Sequence, residues 1–475
     1  MNHVPAALGL LTRPRRLHFI GVGGAGMSGI AELCQRLGFA VSGCDLRESA
    51  TTARLATLGV RIDRGHHPGH LTPALDAVVI SSAVKFSNPE VAAARAMKIP
   101  VIARAEMLGE LLRMARVGIA IAGTHGKTTT TSLVGLILEE AGLDPTVAIG
   151  GNLRALGANV RLGRGDYMVA EADESDASFL LLMPTIAVVT NIDPEHLDHY
   201  GTMERVREAY LNFINRLPFY GAAVLGIDSV NVRGLIAAAR KPIVTYGVAA
   251  DADLRAENIV IDGLATRFEV LRQGEPLGAV TIPTPGRHVA LNGLAALAVA
   301  LELGIPFATA ARALASFSGI TRRFEIKGEA AGRLVLDDYA HHPVEVRATL
   351  AAARAAFRRR IVAVFQPHRY TRLRDLFDEF LTAFDDADVL YLDDVYAAGE
   401  EPIADVSARR LCEALRARGH LEVRFIGDES DPAARLAAET VAGDLVITAG
   451  AGDVYRIGER LLATLGEAAN SDERA

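Results

Sequence analysis

The sequence predicts an α/β protein of three domains with doubly wound, mainly parallel sheets, and three observations carry that prediction. At about 150 residues per domain, a chain of 475 residues makes roughly three domains. Short apolar runs recur along it, each ending in a polar or glycine-rich turn and followed by an amphipathic stretch, which is the pattern of parallel βα units. One segment, Leu254 to Ile282, instead alternates apolar and polar residues with turns at Asp262-Gly263 and Gln273-Gly274, and reads as an antiparallel meander.

Taken in order, residues 1 to 15 read as a loose tail, since the apolar stretch Ala6 to Leu11 precedes its arginines rather than following them as in a secretory signal. The first unit has strands at Leu17–Ile20, Phe39–Asp45, Ala77–Ile80 and Val101-Ile102, then a helix carrying Met107, Leu108, Leu111 and Leu112. The second opens with the strand from Val117 and a long helix ending at Gly142. It continues with strands ending at Glu171 and Asn191, strands at 222–225 and 243–246, the meander, and a helix from His288 to Gly304. The third begins near Gly319, with strands at 333–336, 361–365, 389–392, 423–426 and 445–448 alternating with alanine-rich helices, and ends in a frayed tail from Asn470 to Ala475. The expected domains are 1–105, 106–320 and 321–475.

Composition narrows the class. Fifty basic against 57 acidic residues, a net charge of −7, argues against a nucleic-acid protein held by its overall field, but not against small anions that need only local positive charge. Three scattered cysteines form neither a disulfide framework nor a zinc spacing, which suits a reducing cytoplasm, and no apolar run reaches membrane-spanning length.

Two glycine-rich loops carry the chemistry. Gly21-Val-Gly23-Gly24-Ala25-Gly26 is a G-x-G-x-x-G between a strand and a helix, a Rossmann-like context in which backbone and helix amides meet a diphosphate. Asp45 ends the next strand, where its carboxylate can accept from a ribose; the motif alone does not choose between NAD and another diphosphate nucleotide. Gly123-Thr124-His125-Gly126-Lys127-Thr128-Thr129 also joins a strand to a helix. Its amides suit phosphates, its lysine the terminal phosphates and Thr128 a magnesium ion, although Ile121 stands where the common P-loop has glycine. A hydride-transfer enzyme has no evident use for this second loop.

Parallel sheets place ligands at the carboxyl ends of their strands, and the residues there are acidic and imidazole-bearing. Glu171-Ala-Asp173-Glu174 follows one strand and Asn191-Ile-Asp193-Pro-Glu195-His196 another, so that Glu171 suits magnesium while His196 suits manganese better. In the third unit, Asp337-Asp338-Tyr339-Ala340-His341-His342-Pro343 and Gln366-Pro-His368-Arg369-Tyr-Thr-Arg372 follow strands, the two arginines offering bidentate forks to a carboxylate or phosphate. Arg322-Arg323 at the hinge is placed to reach back to a phosphate.

Together with Pro285-Gly-Arg-His288 and Asn292, these segments resemble the Mur ligases of bacterial cell-wall synthesis, and most closely their muramate-alanine branch. The resemblance runs in order through all three units. It implies a Rossmann-like first domain, a central P-loop-type ATP-binding domain with added antiparallel strands and a Rossmann-like third domain. It further implies ATP-dependent ligation of L-alanine to the carboxylate of UDP-N-acetylmuramate through an acyl phosphate, in the cytoplasm, by a monomer or homodimer with no nucleic-acid or membrane partner; a recycling relative that adds a tripeptide is the alternative. Site residues follow by the same resemblance. Gly21, Gly23, Gly24, Ala25, Gly26, Asp45 and Ser82 would hold the UDP-sugar; Gly123 to Thr129, His288, Asn292 and Arg323 the ATP; Thr128, Glu171 and His196 the metal, magnesium or in its place manganese; Tyr339, His342, Arg369 and Arg372 the amino acid. Lys127, Glu171, His196, Arg323 and His342 would be catalytic.

Three departures stand out. Cys44 stands where the family usually has serine, Asp453 stands where asparagine is often found, and no lysine occurs between Lys127 and Lys241 to supply the carbamylated lysine of some sibling ligases.

Overall fold

The structure, a computed structural model, describes residues 15–81, 83–153, 158–419 and 422–472. The expectations for residues 1 to 14 and for Ser82 therefore lie outside the described residues, as do the last three residues of the tail.

Three sheets build the molecule. The first has five parallel strands, β1 (Arg16–Ile20), β2 (Ala40–Asp45), β3 (Arg61–Arg64), β4 (Ala77–Ile80) and β5 (Val101–Ala103), in the order β3-β2-β1-β4-β5. The strand order reverses beside β1, so its exit, Gly21, lies at the crevice where open α/β sheets bind ligands.

The second sheet has ten strands: β6 (Val117–Ala122), β7 (Thr146–Leu153), β8 (Ala158–Arg161), β9 (Tyr167–Glu171), β10 (Ile186–Val189), β11 (Ala222–Gly226), β12 (Ile243–Gly247), β13 (Leu254–Asp262), β14 (Ala265–Arg272) and β15 (Glu275–Ile282). Here β6 lies between β9 and β10, all parallel, which brings the phosphate loop, Glu171 and Asn191 to one edge. The meander appears as antiparallel β13, β14 and β15. Its inward residues Phe268, Val270, Val280 and Ile282 are buried against the helix Arg287–Glu302.

The third sheet has six strands, β16 (Glu325–Ala330), β17 (Arg333–Asp338), β18 (Ile361–Phe365), β19 (Val389–Leu392), β20 (Val423–Phe425) and β21 (Leu445–Ala449), in the order β16-β17-β21-β18-β19-β20. Its centre, β21, is Leu-Val-Ile-Thr-Ala and buried throughout, as a strand covered on both faces must be. The closing helix runs from Tyr455 to Asp472, so residues 470–472 are helical rather than frayed. Among the described residues, no helix is long and apolar enough to cross a membrane.

Candidate active site

At the end of β6 the chain turns through Gly123 to Gly126 into the helix Lys127–Glu140. Gly123 has φ near 132°, and a Cβ there would overlap the Thr190 hydroxyl, so the loop tolerates only glycine at its first position. The exit of β10 pins the loop. Thr124 N–H donates to Asn191 O at 3.0 Å, His125 N–H to Asn191 Oδ1 at 2.8 Å, and Thr190 Oγ1 to His125 O at 2.6 Å.

The Lys127 ammonium folds back over this loop. It donates to Gly123 O at 2.6 Å, Thr124 O at 3.1 Å and Glu174 at 2.9 Å. Burial works against its charge, but Glu174 and Glu171 more than offset burial and hold its pKa up. Burial raises Glu174 in turn, further than Lys127 lowers it. A half-buried cation whose donors are taken up by loop carbonyls and one carboxylate is held where terminal phosphate oxygens would compete for it.

Thr128 Oγ1 lies 3.1 Å from both oxygens of Glu171, a hydroxyl and a carboxylate together. That pair fits a magnesium ion, which takes one or two carboxylates and fills its other positions with phosphate oxygens and waters. His196 is grouped with Glu174 and Glu195, their ligand atoms within 4.8 Å of one another. Burial lowers its pKa, with Arg372 and Lys127 adding to the effect, so the imidazole is kept neutral and able to ligate.

Across the seam stands Glu345, on the first turn of the helix Pro343–Ala356. Its Oε1 is 3.2 Å from His125 Nδ1 and 3.7 Å from Arg323 Nη1, and its Oε2 is 3.4 Å from His341 Nδ1. His125 Nε2 lies 3.2 Å from Asp193 Oδ2. Burial would lower His125, but its bonds to Asp193 and Glu345 raise it to about 9. A second cross-domain tie joins Arg372 to Glu195 at 2.5–2.9 Å, and the same guanidinium donates to His368 O at 2.9 Å.

Three cavities meet on the loop. One of about 550 Å³ is walled by His125, Gly126, Thr128, Thr129, His288, Asn292 and Arg323, with Asp228, Asn231 and Tyr246 opposite. A second, of about 440 Å³, lies between the second and third sheets and contains Thr124, Lys127, Thr128, Glu171, His196, Arg323, Tyr339, Arg369 and Arg372. A third, of about 180 Å³, connects Gly26 and Arg104 with Lys127, Glu171 and Asp173.

Models of known families match the chain in three consecutive stretches: a Mur ligase family catalytic domain over residues 16–116, a Mur ligase middle domain over 121–300, and a Mur ligase glutamate ligase domain over 322–452. The chain belongs to the Mur ligase family. It is 55% identical over 455 residues to a UDP-N-acetylmuramate–L-alanine ligase of Anaeromyxobacter sp. (strain Fw109-5), covering 96% of this chain and 98% of that protein. It is 52% identical over 461 residues to the ligase of the same name from Myxococcus xanthus, covering 97% of each. Among solved structures, UDP-N-acetylmuramate-alanine ligase from Thermotoga maritima aligns with a TM-score of 0.79 and 28% identity over 95% of this chain and 99% of that one. A murein peptide ligase from Psychrobacter arcticus aligns with a TM-score of 0.67 and 26% identity, over 95% and 99%.

Within this Mur ligase the sequence-derived sites are partly redistributed. His342 was expected at the reacting centre. The structure buries it as the N-cap of the helix Pro343–Ala356, its Nδ1 accepting from Val344 N–H and its ring 4.6 Å from that of His125. His341 and His368 line the 440 Å³ cavity instead. Arg372 reaches that cavity already engaged by Glu195, which leaves Arg369 as the more open fork. Arg322, paired with Arg323 in the sequence, also borders the 440 Å³ cavity, but its guanidinium is taken up by the turn at Gly450 and Gly452 and by Asp337 at 3.0 Å, whereas Arg323 lines both that cavity and the 550 Å³ one.

In the first domain Gly21, Gly23 and Gly24 form the loop, and Ala25 and Gly26 open the helix Ala25–Arg36, whose N-cap Gly24 supplies no side-chain partner to the helix amides. Asp45 turns inward, accepting from Gly23 N–H at 2.8 Å, so it braces the loop rather than standing open for a ribose.

Sequence reading missed Glu345, Arg104 and the wall formed by Asp228 and Asn231. Signals existed for two of these: His342-Pro-Val-Glu345 has capping-box spacing, and Asp228 to Asn231 follow the carboxyl end of β11.

Proposed function

We propose that the chain joins L-alanine to the carboxylate of UDP-N-acetylmuramate at the expense of ATP, giving ADP, phosphate and UDP-N-acetylmuramoyl-L-alanine for peptidoglycan precursor synthesis in the cytoplasm. The observation that carries this reading is that the 440 Å³ cavity joins the other two around the phosphate loop, sharing Thr128 with the 550 Å³ cavity and Lys127 and Glu171 with the 180 Å³ one. The 550 Å³ cavity suits the adenosine of ATP, with Asn292 and His288 on its wall and Arg323 toward the phosphates. The passage between Gly26 and Lys127 suits a sugar carboxylate arriving from a UDP held by the first domain. The cavity beside Arg369, Tyr339 and His341 suits a small amino acid.

In this arrangement the muramate carboxylate attacks the γ-phosphate, the bond to the β-phosphate breaks and ADP leaves an acyl phosphate; the neutral alanine amine then attacks the acyl carbon, and phosphate and a proton depart as the amide forms. Lys127 and Arg323 hold the phosphoryl oxygens, so catalysis rests on positioning and charge neutralisation. Thr128 and Glu171 would hold magnesium, with His196, Glu174 and Glu195 beside them; when bound, the ion neutralises phosphate charge. Closing the seam excludes water from an intermediate that water would hydrolyse.

The test is phosphate release with ATP, magnesium and UDP-N-acetylmuramate. Release that depends on L-alanine is the expected result. Release with a tripeptide and none with L-alanine would replace this reading by the recycling ligase. Sedimentation of the same preparation distinguishes monomer from homodimer.

A further inference from the structure

The first domain holds a second cluster of ligand-type side chains that the reaction does not use. Glu90, on the first turn of the helix Pro89–Ala96, is fully buried, and four residues from three other segments converge on its carboxylate. Cys44 Sγ is 2.8 Å from Oε2, His66 Nδ1 is 3.2 Å from the same oxygen, His70 Nδ1 is 2.6 Å from Oε1, and His18 Nε2 is 3.7 Å from Oε1. Cys44 Sγ and His66 Nδ1 are themselves 3.2 Å apart.

The decisive atom is His18 Nε2. It is buried and, among the described residues, makes no hydrogen bond. Its partner nitrogen fixes its tautomer. Ser42 Oγ donates to Leu17 O at 3.3 Å and is left to accept from His18 Nδ1–H at 2.9 Å. In the neutral ring Nε2 therefore presents its lone pair toward the Glu90 carboxylate, to which the Cys44 thiol donates. An imidazole oriented through its other nitrogen by a fixed acceptor is the arrangement of a metal-bound histidine.

We propose that His18, Cys44 and Glu90, completed by His70 or His66 at the mouth, bind a zinc ion. The ligand atoms of His18, Cys44 and Glu90 already lie within 4.8 Å of one another. Around one tetrahedral zinc, with bonds of about 2.0–2.3 Å, such atoms stand roughly 3.3–3.7 Å apart, so modest expansion seats the ion. A thiolate, imidazoles and one carboxylate favour zinc over magnesium. Uptake releases the Cys44 proton to solvent. His66 and His70, 19% and 17% exposed, give the ion its entry. It would staple β1, β2, the 66–70 turn and the Glu90 helix directly behind the Gly21 loop.

The test uses the full chain stripped with chelator and titrated with cobalt, whose bond to a thiolate gives a charge-transfer absorption. The wild type is expected to bind with that band and to release cobalt to zinc. Cys44→Ser should lose the band, Glu171→Gln should keep it, and Ser42→Ala should keep it while binding roughly 10- to 100-fold more weakly. The Ser42 arm still reads if the Cys44 variant fails to fold. A stripped chain that shows no band, or a band that survives Cys44→Ser, would overturn the site and leave a hydrogen-bond network only.

Discussion

The two glycine-rich loops occupy equivalent places, each between a first parallel strand and a helix at the carboxyl edge of its sheet, and yet they are charged in opposite styles. The loop from Gly21 to Gly26 contains no cation of its own; the side chain turned into it is the Asp45 carboxylate, and Arg104 lies against Gly26 from another helix. The loop from Gly123 to Thr129 carries Lys127 in its centre, with Glu174 on the ammonium and Glu171 on the adjoining hydroxyl. The difference follows from what each has to do. A diphosphate that is only held needs amide donors and a helix N-terminus. A phosphoryl group that is transferred develops charge in the transition state and needs a preorganised cation there.

The sharpest way to break the contrast is Lys127→Ala. We expect turnover to fall about 10²- to 10³-fold, measured as phosphate release, with UDP-sugar affinity nearly unchanged. Glu174 would then be buried without its cation, so Lys127→Ala/Glu174→Gln should recover folding stability but not turnover; near-normal turnover in either variant would sink the phosphate-loop assignment. Next in size is Thr128→Ala, which removes one hydroxyl from a charged site. The loss of about 1.5–3 kcal/mol should appear as a roughly 10- to 100-fold fall in turnover, partly restored by raising magnesium. If the magnesium dependence does not change, Thr128 does not hold the ion.

Both loops were legible from residue spacing because phosphate binding is done by contiguous backbone, and contiguity is what a sequence displays. The positions of the central strands were nearly as legible, because β18 and β19 are unbroken apolar runs and β21 is broken only by Thr448. β3, Arg-Ile-Asp-Arg, was missed because a short edge strand with water on one side carries no such run. The seam was poorly legible for a different reason. Glu345 meets His125 across 220 positions and Arg372 meets Glu195 across 177, so their pairing is decided by how domains dock. His342 misled because two adjacent histidines look alike in a string, whereas a helix start sends one into a cap and its neighbour to the cavity wall.

Gly23→Ala probes the first loop. A Cβ there would stand 2.8 Å from Asp45 Oδ2, closer than packed atoms allow. Overpacking of this kind costs about 1–3 kcal/mol, and we expect it as a rise of roughly tenfold in KM for the UDP-sugar with kcat little changed. Asp45→Ala in the same chain removes the tightest contact, leaving Thr52 Cγ2 at 3.0 Å, so the double variant should bind better than Gly23→Ala alone. Equal loss in both would show that Asp45 does not brace the loop.

The smallest effect on the reaction should come from His125, which belongs to the second loop but faces Asp193 and Glu345. Its pKa is raised to about 9 in the folded chain, where the bonds to those carboxylates outweigh burial, and is near 6.5 when unfolded. A raised folded pKa means that the charged imidazole contributes stability fully below about 6.5, and that this contribution is lost as pH rises through 9. Between pH 7 and 9.5 the folding equilibrium should therefore weaken, by at most about tenfold per pH unit for one proton, followed by urea unfolding at each pH. His125→Gln cannot titrate and should remove that slope while leaving the Lys127 contacts in place. The contrast between the loops then sharpens: in the second loop one cation serves the phosphates and a second, pH-dependent one fastens the third domain over them. A wild-type slope that survives in His125→Gln would assign the pH dependence to another group.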